Sequence, residues 1–128
     1  MEFDHAGVAT DEFDALVDLY GAVFDAPLVH EEEFEGLRVG FLDLGNGYFE
    51  VLEPLDDEGT IAGYLDRQGP GLHHVALRTG DVAAALDIAR REGLALVDEE
   101  PRRGAWGYDV AFLHPDSTGG VLVEFVEH

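Results

Sequence analysis

Apolar positions along this chain recur with two periods, and the order of the periods repeats. Residues 3–9, FDHAGVA, read as a short strand, and Phe13, Leu16, Val17 and Tyr20 then fall at helical spacing behind a Thr10-Asp11 start. The same succession returns in the second half. LHHVAL at 72–77 reads as a strand, Thr79 and Asp81 open a helix, and Val82, Ala85, Leu86 and Ala89 carry its apolar face, with Gly93 as the stop.

Set without a gap, 3–19 and 72–88 match: His5 falls on His74, Val8 on Leu77, Thr10 on Thr79, Phe13 on Val82, Ala15 on Ala84 and Asp18 on Asp87. Downstream, GFLDLGNGYFEVLE at 40–53 matches VAFLHPDSTGGVLVEFVE at 110–127, the second with a longer turn. Both predict hairpins, and Asn46-Gly47 is a strong turn signal in the first. A further strand is expected before each hairpin, near 27–34 and near 94–99. Each half therefore predicts β-α-β-β-β. Module one covers about 1–53, a linker with a short helix near 60–67 covers 54–71, and module two covers about 72–128. A repeat of about 69 residues is too long for a solenoid and points to one α+β domain made from a duplicated module.

Composition narrows the partners. Asp and Glu number 28 against 7 basic residues, all arginine, for a net charge of −21. Such a charge repels nucleic acid and anionic membranes, so neither is expected as a partner. With 46% hydrophobic residues in clear periods, the acid reads as the solvated shell of a halophilic protein rather than as disorder. Most carboxylates are then coat. No cysteine is present, which removes disulfides and thiolate metal sites and fits a reducing cytoplasm. No leader-like or membrane-spanning run of apolar residues is read in the chain.

Against that coat, four residues stand at matched places. His5 and His74 lie on the first strand of each module, and Glu50 and Glu124 on the last. Phe49 and Val51 flank one glutamate and Val123 and Phe125 the other, so alternation turns each carboxylate away from its apolar neighbours. A pseudo-twofold relation would bring all four to one divalent cation of intermediate hardness. In the His73-His74 pair, His74 is the match of His5, so His73 faces away as a structural or partly exposed residue. His30, His114 and His128 have no matched partner and are given no metal role. The acidic run 31–33 is read first as solvated surface, with a proton reservoir as the other reading.

The stretches FDHAGVA, FEVLEPL, GLHHVAL, DEEPRRGAWG and FLHPDSTGGVLVE together resemble the methylmalonyl-CoA epimerase family of the vicinal-oxygen-chelate superfamily. The resemblance implies paired βαβββ modules forming a curved mixed sheet around a metal. It implies racemase/epimerase chemistry on an acyl-CoA thioester: a 1,1-proton transfer through an enolate that interconverts (R)- and (S)-methylmalonyl-CoA. It also implies a divalent metal, cobalt foremost and Mn2+, Zn2+, Ni2+ or Mg2+ otherwise, and a homodimer. The family's ligands fall on His5, Glu50, His74 and Glu124. One departure stands out. Where some members carry a catalytic glutamate after an E-x-G-V type turn, this chain has EGLRVGF, with Val39 at that place, and it has Glu50 where they have glutamine. The base role is therefore expected on Glu50 and Glu124, as in glyoxalase I. The alternatives are a glyoxalase I-type lactoylglutathione lyase, a ring-cleaving dioxygenase, which the fourth protein ligand disfavours, and a non-catalytic small-molecule-binding member. Arg38, Arg102 and Arg103 suit either coenzyme A phosphates or neighbouring carboxylates, and Trp106 either a pocket wall or packing.

Overall fold

A computed structural model describes all the residues Met1–His128. The elements run β1 (Glu2–Ala9), α1 (Phe13–Phe24), β2 (Leu28–Phe34), β3 (Leu37–Asp43), β4 (Tyr48–Pro54), α2 (Thr60–Gln68), β5 (Gly71–Arg78), α3 (Val82–Arg91), β6 (Arg102–Arg103), β7 (Asp109–Leu113) and β8 (Val123–Glu127). Short 3-10 turns at Ala105–Gly107 and Pro115–Ser117 lie in the second half. The chain forms two compact units, one His5–His73 and the other His74–His128 with Met1–Asp4. No helix is long and apolar enough to cross a membrane.

In the first unit the strands stand in the order β2-β3-β4-β1. β1 and β4 are parallel, and β2-β3 and β3-β4 are antiparallel hairpins. The β2-β3 turn is the two-residue Glu35-Gly36, with φ of 48° and 78°, the mirror-image turn that matches strand twist. Helix α1 lays Phe13, Leu16, Val17 and Tyr20 against Ala26, Leu42, Phe49 and Val51, as the helical spacing predicts. Close approach is made possible at Gly40, where an added Cβ would stand 2.6 Å from Phe13 Cζ.

The second unit repeats the plan in the order β5-β8-β7-β6, with β5 and β8 parallel and β7 antiparallel to β8. Val82, Ala85, Leu86 and Ala89 of α3 pack on Ala111, Leu113 and Phe125. Asp81 caps this helix, its side chain accepting from the Ala84 amide at 3.0 Å. In both units a threonine just past the first strand, Thr10 or Thr79, accepts the amide two residues on, which turns the chain into the helix.

One expected strand is not regular. Near 94–99 there is a single bridge, Leu96 to Leu113. The amides of Val97 and Asp98 both reach the Phe112 carbonyl, while the Asp98 carboxylate takes the Phe112 amide at 2.8 Å. A side chain thus occupies the place a backbone carbonyl would hold in a ladder. The ordered pairing moves to the two-residue β6, where Arg102 and Arg103 meet Val110 and Asp109.

Candidate active site

Alternation along the last strand of each unit sorts its side chains onto two faces. On β4, Phe49 and Val51 join the core under α1, so Glu50 points to the opposite face. There its cross-strand partners are Gly7 on β1 and Phe41 on β3. His5, two residues before Gly7, shares that face, with its Nε2 3.3 Å from Glu50 Oε1. The Phe41 ring meets the imidazole edge-on, 5.6 Å between centroids and 90° between planes.

The second unit has the same construction. Val123 and Phe125 face the core, and Glu124 pairs with Ala76 on β5 and Phe112 on β7. His74, two residues before Ala76, places its Nε2 3.5 Å from Glu124 Oε1. Phe112 meets it edge-on at 5.4 Å and 81°. A small residue, Gly7 or Ala76, lies opposite each glutamate, where a larger side chain would crowd the carboxylate. His5, Glu50, His74 and Glu124 are 3, 6, 4 and 7% exposed.

Burying a carboxylate beside a neutral imidazole costs several kcal/mol unless further charge offsets it. A divalent cation is such a charge, and the donors suit one: imidazole nitrogen and carboxylate oxygen bind Zn2+, Co2+, Mn2+ and similar ions. Two donors about 2.1 Å from a common ion and 90–110° apart stand about 3.0–3.4 Å from each other. The His5–Glu50 spacing of 3.3 Å lies within that range and the His74–Glu124 spacing of 3.5 Å just beyond it. His5, His74 and Glu124 each offer a buried ligand atom. The structure thus brings the expected residues together as two pairs, His5 with Glu50 and His74 with Glu124.

The other histidines are engaged elsewhere. His73 sits edge-on to Tyr64 at 5.0 Å. His114 accepts from the Asp116 amide, and His128 lies 2.7 Å from Asp4 and stacks on Tyr108. Val39 is fully buried and shares a face with Phe41 and Glu50, opposite Leu52. The acidic run 31–33 is not uniform coat. Glu31 and Glu33 are exposed, and Glu31 pairs with Arg38, whereas Glu32 is opposite Val39 on the face of His5 and Glu50. Its Oε1 lies 3.2 Å from His30 Nε2.

Arg38 is held between Asp14 at 2.9 Å and Glu31 at 3.0 Å, over the Phe13 ring. The bond to Asp14, then that to Glu31, lifts its guanidinium well above the ordinary value. Arg102 pairs with Asp98. Trp106 adopts the left-handed conformation, φ 63°, and lies tilted beside Tyr108.

Two features escaped the pattern of single residues. Phe41 and Phe112 are matched in the repeat, inside the two hairpins, and nothing in the apolar pattern marks them as neighbours of the histidines. Glu53 and Glu127 also match, in EVLE and EFVE, and they serve the helices: Glu53 accepts the Phe13 amide at 3.0 Å and Glu127 the Val82 amide at 2.9 Å. The spacing E-x-x-E held this signal, since residues three apart on a strand face opposite ways.

A family model described as Glyoxalase/Bleomycin resistance protein/Dioxygenase superfamily matches residues 4–112. The mitochondrial methylmalonyl-CoA epimerase of Dictyostelium discoideum is 35% identical over 130 residues, covering 98% of this chain and 78% of that protein. Methylmalonyl-CoA epimerase from Mycobacterium tuberculosis superposes with a TM-score of 0.92 at 35% identity, over 98% of this chain and 87% of that one. A Streptomyces coelicolor methylmalonyl-CoA epimerase variant in complex with 2-nitronate-propionyl-CoA gives 0.92 at 36%, over 99% and 94%. In sequence and in fold, then, this chain belongs to the glyoxalase/bleomycin resistance protein/dioxygenase superfamily, among its methylmalonyl-CoA epimerases.

Proposed function

We propose that this chain is an isomerase that interconverts (R)- and (S)-methylmalonyl-CoA by 1,1-proton transfer. The observation that carries the proposal is the twofold occurrence of a buried His–Glu pair, His5–Glu50 and His74–Glu124, each on the face turned away from its helix. The similarity to epimerases, one of them holding an acyl-CoA analogue, supports the substrate class. It gives no support to a lactoylglutathione lyase or a binding protein.

The four residues are proposed as ligands of one divalent cation. Such a cation, when bound, supplies Lewis-acid stabilisation of the negative charge that develops on the substrate oxygens. The chain's own carboxylates must then take the α-proton and return one from the other side. Glu124 is proposed for one side and, on the match between the two halves, Glu50 stands as the first candidate for the other. Each is also a ligand, so each would have to slacken its hold on the ion to act as a base. Phe41 and Phe112, edge-on to the imidazoles, hold the ring planes beside the carboxylates.

Cobalt as the physiological ion, a homodimer and a salt-rich cytoplasm complete the proposal. The donor set supports an ion of that hardness, and the charge of −21 with no cysteine supports the compartment. The decisive experiment is deuterium incorporation at the α-carbon of methylmalonyl-CoA in D2O, at high salt, with the protein loaded with cobalt or manganese. Rapid exchange that is lost on chelation is expected. Loaded protein that leaves the α-proton in place is not an epimerase.

A further inference from the structure

The face of the first unit that carries His5 and Glu50 holds one more carboxylate. Cross-strand register puts Glu32, Val39 and Leu52 in one row and His30, Phe41 and Glu50 in the next. Directly opposed residues share a face with Cβ atoms about 5 Å apart. Glu32 therefore reaches over Val39, with the buried side chains of Val39, Phe41 and Leu52 as an apolar floor beside it. The side chains of His30 and Glu32 are 27 and 28% exposed, open enough to meet a ligand and exchange protons with water.

Edge strands often carry charge simply to block pairing, and β2 is the outer strand of its unit. That explains Glu31 and Glu33, which face the other way. It does not explain why the middle carboxylate turns inward and is held by an imidazole at 3.2 Å. A carboxylate oriented by a histidine, over an apolar floor and on the face of the ligand pair, is built as a general base.

We infer that Glu32, oriented by His30, is the proton acceptor on the first unit's side, which leaves Glu50 to serve as a ligand. This rests on the epimerase reading and assigns a base within it. In one direction the Glu32 carboxylate takes the α-proton as the C–H electron pair moves into the thioester carbonyl, and Glu124 delivers a proton to the opposite face of the carbon. Glu124 starts this turnover protonated and Glu32 ionised; afterwards Glu32 gives its proton to water and Glu124 takes one up, and in the other direction the roles reverse, so protons and charge balance. Glu32 can act without leaving a metal, which Glu50 cannot. His30 is a positioning residue: it holds the Glu32 oxygen and does not meet the reacting carbon.

The test is Glu32→Gln in the cobalt-loaded protein, assayed with each epimer separately in D2O. Interconversion is expected to fall by about 100-fold or more, the usual contribution of a general base. Deuterium should still enter one epimer, through Glu124, and bound cobalt should be unchanged. His30→Gln should lower kcat about tenfold at constant KM, and Glu32→Asp should recover part of the loss. Interconversion by Glu32→Gln within twofold of the parent overturns the inference, as does equal loss of exchange from both epimers. Failure of the parent protein itself to exchange instead sinks the epimerase reading, and the assignment with it.

Discussion

Glu53 and Glu127 show how much one side chain settles in this molecule. Each stands three residues after a site glutamate and accepts the first amide of a helix, so each offsets one of the amides that helix geometry leaves without a partner. A carboxylate there also meets the positive end of the helix dipole. In α1 this contact replaces a local cap, because Glu12 at the N-cap makes no side-chain capping bond. Glu53→Ala should therefore cost about 1–2 kcal/mol, toward the upper end for cap loss. Glu127→Ala should cost less, because Asp81 still caps α3. Urea denaturation of both variants checks the order, and equal losses would contradict it.

The contact between α1 and β3 depends on a missing side chain. Gly40 lets the Phe13 ring lie on the strand, and Arg38 covers the ring from its outer side. Gly40→Ala forces a Cβ to 2.6 Å from Phe13 Cζ and should destabilise by about 1–3 kcal/mol, the range for overpacking. A thermal melt unchanged by the substitution would mean that the ring moves aside freely. The helix phases were legible because Phe13, Leu16, Val17 and Tyr20 repeat every three or four positions. So were the matched histidines and glutamates, through the duplication. Two things were not. The 94–99 segment has strand-like residues, but a single Asp98 carboxylate competing for the Phe112 amide breaks its ladder. Glu32 is lost in a run of three glutamates, because composition cannot say which member of an alternating run faces inward; only the register with Val39 does.

Across the whole molecule, a charge of −21 on 128 residues stores repulsion that folding must overcome. Screening shortens its range from about 10 Å at 0.1 M salt to about 3 Å at 1 M. The melting temperature should accordingly rise by about 5 °C or more between 0.1 and 1 M KCl, and a flat response by calorimetry would show that the acidic shell is no burden. The E-x-x-E spacing acts at this scale as well. A last strand that docks one residue out of step turns both of its glutamates to the wrong side at once. The mispaired chain would lose a site carboxylate and a helix anchor together and would bury a carboxylate among apolar side chains. Errors in assembling either half are thus penalised twice, a form of proofreading written into four residues.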